Sequence, residues 1–177
     1  LSQSYPSYGI LSPVHLTGNG DKPDPGFGHY AQIQQLDQLP DKDILDIPFA
    51  NAAFWMIPVS VLNKVGGFCP LFYHYGEDKD FVNRLTYHHY QVGYSPKVFG
   101  NHDREYRPVT HQGFLRTESV YHLSEYANIH YHWGKAFGLG VLAPVKKSLI
   151  ALCQGKASLS LDYLRMALQL LGRSKEV

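Results

Sequence analysis

With 177 residues and a formal net charge of +1, the chain is long enough for one compact domain with a real core, and its charge gives no case for nucleic acid as a partner. Hydrophobic residues at 44% and charged residues at 18% exclude a disordered chain. Thirteen tyrosines lift the aromatic share to 14%; their amphipathic faces suit sugar rings as well as protein cores, and ordinary buried tyrosines account for most of them. Cys69 and Cys153 stand far apart without a motif, which reads as free thiols in a reducing compartment. No apolar run approaches the roughly 18–20 residues that span a bilayer. The opening Leu1-Ser2-Gln3-Ser4 has neither the basic region nor the apolar core of a signal peptide. It also lacks an initiator Met, so a fragment or a processed chain is expected.

In chain order, Gly9–Leu16 is apolar enough for a short strand, and the glycines and prolines from Gly18 to Gly28 predict a loop. Asp37–Asp46 is polar and acidic, with little regular structure expected. The nearly continuous apolar run Phe49–Ile57 predicts a buried strand in a sheet covered on both faces. Pro58 opens a short helix over Val59–Val65, closed by Gly66-Gly67. Gly76–Tyr90 predicts a helix with an Asp80–Arg84 pair at i,i+4. Gly93–Phe99 predicts a strand that Pro96 makes short or confines to an edge. From about Gly113 helical periodicity takes over, with helices expected near 114–136, 141–153 and 159–171. The last carries the stripe Leu161, Leu164, Leu168 and Leu171, with Ser158 or Ser160 as cap and Gly172 as its end.

The chemistry is concentrated between Asn51 and Glu105. Glu77, Asp78 and Asp80 crowd the first turn of a helix begun by Gly76, where the helix dipole stabilises carboxylates by about 0.3–1 kcal/mol each. That effect alone explains an acidic first turn. It explains less well why an aromatic loop, Phe72-Tyr73-His74-Tyr75, delivers the turn. A carboxylate at a helix start, flanked by aromatics able to line a sugar pocket, is placed to act as a base.

Gly66-Gly67-Phe68, then Tyr75-Gly76-Glu77-Asp78-Lys79-Asp80-Phe81 with Arg84-Leu85, then Gly93-Tyr94 with Pro96, and finally His102, form one ordered series. It resembles the signature of family 2 glycosyltransferases over roughly residues 9–104. Cys69 departs from the pattern, since the family usually has Asp after Gly-Gly-Phe. The resemblance implies an α/β fold: a partial GT-A-like, Rossmann-like sheet over residues 1–112, then a C-terminal helical extension over 113–177. It implies an inverting transfer of a sugar from a nucleotide-sugar donor to a glycan or lipid-linked acceptor, as in bacterial cell-envelope polysaccharide synthesis. Asp78 would be the general base, Glu77 and Asp80 would support it, and Tyr75 would line the acceptor pocket. His102 would approach the metal–diphosphate site, with a divalent cation, Mn or Mg, in the complete enzyme; a solvated or hydrogen-bonded loop histidine is the alternative. Arg104 or Arg107 would contact diphosphate, with a loop salt bridge equally open. Trp55 would lie near the donor sugar or simply pack the core.

The N-terminal nucleotide-binding half and a convincing Asp-x-Asp motif are not found; Asp41-Lys42-Asp43 matches by letter only. The chain is therefore expected to be inactive alone, completed by a missing N-terminal half of the same polypeptide. His88-His89 and His130-x-His132 could suggest a metal site, but adjacent histidines on a helix point about 100° apart and suit no shared metal, and no nucleophile elbow or P-loop occurs. From Leu139 onward six basic residues face two acidic ones, Asp162 and Glu176. The tail is thus a candidate for peripheral contact with the inner face of the cell membrane in a cytoplasmic protein, against packing on the catalytic domain or dimerisation. A non-catalytic carbohydrate-binding or assembly module is the alternative function.

Overall fold

The computed structural model describes residues 4–103 and 108–177. It is a mixed α/β protein with one small open sheet and several helices. The chain divides into two compact units, 1–67 with 84–107 and 68–83 with 108–177. The first carries the sheet and the second most of the helices.

Strand β1, Tyr8–Leu16, is buried over nearly its whole length, with Ile10, Val14 and His15 wholly enclosed. Helix α1, Pro25–Ala31, occupies the end of the stretch expected to be loop. Its sequence signal is a cap rather than a periodicity. Asp24 Oδ1 accepts hydrogen bonds from the N–H groups of Gly26 and Phe27, and Pro25 holds the first position, where its missing N–H costs nothing. Strand β2, Leu45–Asp46, pairs antiparallel with Tyr94 and Gly93.

Phe49–Ile57 is not the expected buried strand. Only Met56 pairs, in an isolated antiparallel bridge to Leu11 with N–O distances of 2.9 and 3.0 Å; the rest of the run is irregular. Trp55 Nε1 donates to the Ala50 carbonyl at 3.2 Å and folds the segment back on itself. An apolar run signals burial, and here burial is met by half-covering the free edge of β1.

Helix α2, Val59–Val65, begins one residue later than its proline, since Pro58 is the cap itself, and ends at Gly66 with φ +86°. Helix α3, Glu77–Tyr87, follows, and the boundary between the two units falls inside it. Strand β3, Gln91–Asn101, is eleven residues long and central, in the order β1-β3-β2, so Pro96 neither shortens it nor confines it to an edge. Its parallel pairing with β1 jumps from Pro13–Ser95 to Val14–Phe99, which leaves Pro96 in a bulge. The antiparallel partner β2 reaches only Gly93 and Tyr94. Pro96 thus has no ladder hydrogen bond to break.

In the second unit, α4, His111–Tyr126, stops ten residues short of the expected 114–136 helix. Helix α5, Trp133–Phe137, runs through a π-helical turn, Gly138–Leu142, into α6, Ala143–Cys153. The continuous stretch Trp133–Cys153 has 21 residues and a mean hydropathy of 1.5, so, contrary to the sequence reading, one helix is long and apolar enough to cross a membrane. Gly138 and Gly140 suggest a break that the π turn bridges. Lys146 and Lys147 lie within the stretch, and Ala136, Val141, Ser148 and Ala151 are buried by neighbouring helices, as in a packed helix of a folded unit.

Helix α7, Ala157–Gly172, has Lys156 at its cap position, so neither Ser158 nor Ser160 caps it. Ser160 instead faces α6, where its carbonyl accepts from Ser148 Oγ at 2.8 Å. The core of this unit is Phe72, Leu123, Tyr126, Val141, Tyr163, Met166 and Leu170. The predicted leucine stripe of α7 is absent from it, because all four stripe residues are exposed.

Candidate functional site

The residues singled out in the sequence fall into two groups. Tyr75, Glu77, Asp78 and Asp80 belong to the helical unit, and Trp55 and His102 to the sheet unit. Arg104, like Arg107, lies outside the described residues.

The acidic first turn of α3 is delivered by two successive left-handed residues, Tyr75 at φ +69° and Gly76 at φ +89°. A non-glycine residue with positive φ is strained, and such strain persists only where the surroundings enforce it. They also enforce glycine at position 76: a Cβ there would lie 2.8 Å from Val120 Cγ1, 2.9 Å from Phe72 Cδ1 and 3.1 Å from Ser124 Oγ. The Tyr-Gly pair is therefore a backbone device that turns the chain sharply into the helix.

Past the turn, the carboxylates differ. Asp80 is buried and its N–H donates to the Gly76 carbonyl at 2.9 Å. Asp78 is partly exposed, and one of its oxygens accepts from the Lys79 N–H at 2.8 Å. Glu77 Oε2 is enclosed and has no hydrogen-bond partner among the described residues. Lys79 turns away from them, its ammonium 2.7 Å from Glu125. Arg84 donates to the carbonyls of Val65 and Gly67 at 2.7 and 2.8 Å and so ties down the Gly-Gly end of α2.

Tyr75 is exposed and stacks near His74, with ring centres 4.0 Å apart; the Arg116 guanidinium sits 5.5 Å from its ring centre. Tyr73 is almost fully exposed. The acidic turn thus adjoins aromatic faces in the sequence, and those faces are open to solvent.

In the sheet unit, Trp55 lines a cavity of about 280 Å³ with Leu11, Phe54, Met56 and Val98, where Ser12 and Ser95 bring the hydroxyls. His102 follows directly on β3, its N–H donating to the Leu16 carbonyl at 2.8 Å. Its Nδ1 is 3.9 Å from Asp24 Oδ2, and its ring meets those of His15 and Phe54 edge-on at 5.8 and 6.2 Å. His15, fully buried, lies 2.9 Å from Ser12 Oγ through Nε2 and stacks on Phe27.

The sequence reading sets Asp24 aside as one of several loop aspartates unsuited to an Asp-x-Asp motif, and it does not single out His15. The Asp-Pro pair ahead of α1 was a usable signal for the first; nothing local marks the second.

Asp24 and His102 supply two donors, one of them already engaged at Oδ1 by the helix cap. No group of three or more His, Cys, Asp or Glu gathers into a metal-ligand set among the described residues. That falls short of the six or so oxygen ligands a hard divalent cation takes, so no step below runs through a metal.

A polar cluster in the helical unit also went unread. Glu118 Oε2 accepts from Lys147 Nζ and, at 3.0 Å, from the Tyr163 hydroxyl, while buried His122 donates from Nδ1 to the Leu139 carbonyl, 2.7 Å away. A carbonyl only accepts, so that nitrogen carries the proton. Burial pushes the Tyr163 hydroxyl up to about 12, helped by the Glu118 carboxylate. Burial alone would raise Glu118, but hydrogen bonds from Lys147 and Tyr163 outweigh it and hold the carboxyl below its usual value. Burial lowers His122, against the opposing pull of its bond to Leu139.

No family model, curated protein or solved structure matches the chain.

Proposed function

We propose that the chain is the acceptor-side portion of an inverting glycosyltransferase of the GT-A type, using a nucleotide-sugar donor. The observation that carries this reading is the left-handed Tyr75-Gly76 turn, which spends backbone strain to set Glu77, Asp78 and Asp80 at the start of α3. An acidic first turn needs no such device for stability alone.

Asp78 is the general base. Its carboxylate takes the proton from an acceptor hydroxyl as that oxygen attacks the anomeric carbon. The new C–O bond forms as the bond to the nucleoside diphosphate breaks, and the bonding pair leaves with the diphosphate. One displacement inverts the anomeric centre and needs one base. Partial exposure suits Asp78 to this role better than the buried Asp80, which holds the turn. Glu77 supports it from the same turn. Tyr75 offers an exposed face to a sugar ring. In this reading His102, in the sheet unit, would approach the diphosphate. The nucleotide-binding half and any divalent cation come with the remainder of a longer polypeptide.

The test is Asp78→Asn in that longer polypeptide, read by release of nucleoside diphosphate and by donor binding. Loss of a general base predicts a fall in kcat of about 10²–10⁴-fold with donor affinity retained. Unchanged turnover would discard Asp78 as base. Glycan binding without turnover in either form would leave a carbohydrate-binding module, which the exposed Tyr73 and Tyr75 favour.

A further inference from the structure

Helices α6 and α7 form an antiparallel pair joined by a tight turn at Gly155, where φ is +73°. Their contact is marked by Ser148 and Ser160, whose hydroxyl oxygens are 3.0 Å apart. Leu149 and Leu152 stand one and four residues past the first serine, and Leu161 and Leu164 one and four past the second. Two antiparallel helices in contact are related by a local two-fold axis normal to their plane. Residues at matching offsets from the contact therefore lie on the same side of the seam. Leu168 and Leu171 extend the α7 row at i+7 and i+10. These six leucines are 42–60% exposed, while the core of the unit is supplied by the opposite side of α7 through Tyr163, Met166 and Leu170. Single exposed leucines are ordinary; two aligned rows form a patch that wants an apolar partner.

The charge around the rows selects the partner. Lys146 lies three residues before Leu149, Lys156 lies at the turn, and Arg165 lies four residues after Leu161, so each stands beside a leucine row. Lys147 is paired with Glu118, and Asp162 offsets Arg165, so Lys146 and Lys156 leave the rim net positive. A second copy of the same face would bring these cations against one another. An anionic lipid surface accepts both features: leucines enter the acyl boundary, and Lys and Arg reach the headgroups along their aliphatic stems.

We propose that the α6–α7 pair is a docking surface for an anionic lipid bilayer, holding the protein peripherally with both helix axes in the plane of the membrane. This stands independently of glycosyl transfer.

The test is co-sedimentation of the full chain with phosphatidylcholine vesicles, with and without about a third phosphatidylglycerol. Binding is expected to the anionic vesicles, to weaken with salt, and to be minor on phosphatidylcholine alone. Leu149→Gln, Leu164→Gln and Leu168→Gln should each weaken it by about tenfold. Because those side chains are exposed, melting should show the fold intact. The pair Lys156→Glu and Arg165→Glu, which removes no apolar contact, should abolish the salt-sensitive part of binding. Failure of the folded wild-type chain to bind anionic vesicles overturns the proposal. So does a dimer in solution that the Leu→Gln variants dissociate, which would give the face to a second copy.

Discussion

The two units of the molecule bury polar groups by different means. In the sheet unit several enclosed polar side chains answer to nearby backbone and residues, although Asp24 also approaches His102. Asp24 caps the helix that begins at the next residue, and Ser12 meets His15 three residues along the same strand. In the helical unit the partners are distant in sequence: Lys147 reaches Glu118 across 29 residues, Tyr163 reaches it across 45, and Lys79 reaches Glu125 across 46. Local pairs form almost for free once the turn is made. Long-range pairs exist only when the helices are assembled. The helical unit should therefore respond more sharply to anything that disturbs its packing or protonation. The single tryptophan in each unit, Trp55 and Trp133, allows this to be followed separately by fluorescence in Trp55→Phe and Trp133→Phe backgrounds.

The largest expected effect is at Gly76. Gly76→Val forces a β-branched residue into φ +89° and drives it against Val120 and Phe72. Strain and overpacking each cost about 1–3 kcal/mol, so denaturant melts should show a loss of about 3 kcal/mol reported by Trp133. If the Trp55 transition falls as far, the two regions unfold as one and the contrast between them fails.

Protonation sharpens the contrast next. His122 has a lowered folded pKa, whereas the unfolded chain takes up its proton near pH 6.5. Between the two values the unfolded state binds more protons, so stability of the helical unit falls as pH drops below about 6.5. One site changes the slope by at most about 1.4 kcal/mol per pH unit. Glu118, also lowered, adds a second decline: its contribution is complete above the unfolded value near 4.3 and is lost as pH falls through the folded one. His122 faces Glu118, Glu125 and Lys147, so His122→Gln isolates its share. The variant should flatten the Trp133-reported stability between pH 7 and about 5 and leave the lower step in place. An unaltered slope would assign the upper step elsewhere.

Part of the acidic turn was legible in the sequence, because three carboxylates announce a helix start; Gly76 was read as the first residue of the helix, and the left-handed backbone that it and Tyr75 adopt before Glu77 was not read. Strand β1, helix α2 and helix α3 were legible for similar reasons: their signals lie within the elements themselves. Phe49–Ile57 misled because hydrophobicity reports burial and not hydrogen-bond pairing. Pro96 misled because a bulge frees one residue of a central strand from its ladder. The leucine stripe of α7 showed an amphipathic helix correctly but not which face meets the core; Tyr163, Met166 and Leu170 do, and that depends on what α4 and α6 present. His15 and the Glu118 cluster carry no local signature at all, since each is defined by partners the fold supplies.

The smallest expected effect lies on the sheet unit and is a near-zero by design. Lys97 on β3 stands 3.1 Å from Asp41 and 3.0 Å from Asp43, and the pairing holds Lys97 above and Asp43 below their usual values. It looks like a tie between the loop and the strand, and it uses charges from distant parts of the chain in the manner of the helical unit. All three side chains are exposed, however, so water and salt screen the attraction and holding long side chains in place costs entropy. Lys97→Ala should leave the Trp55-reported melt unchanged at physiological salt. A clear shift that disappears when salt is raised would mean that the sheet unit, too, depends on long-range charge, and the distinction between the two units would then be one of degree.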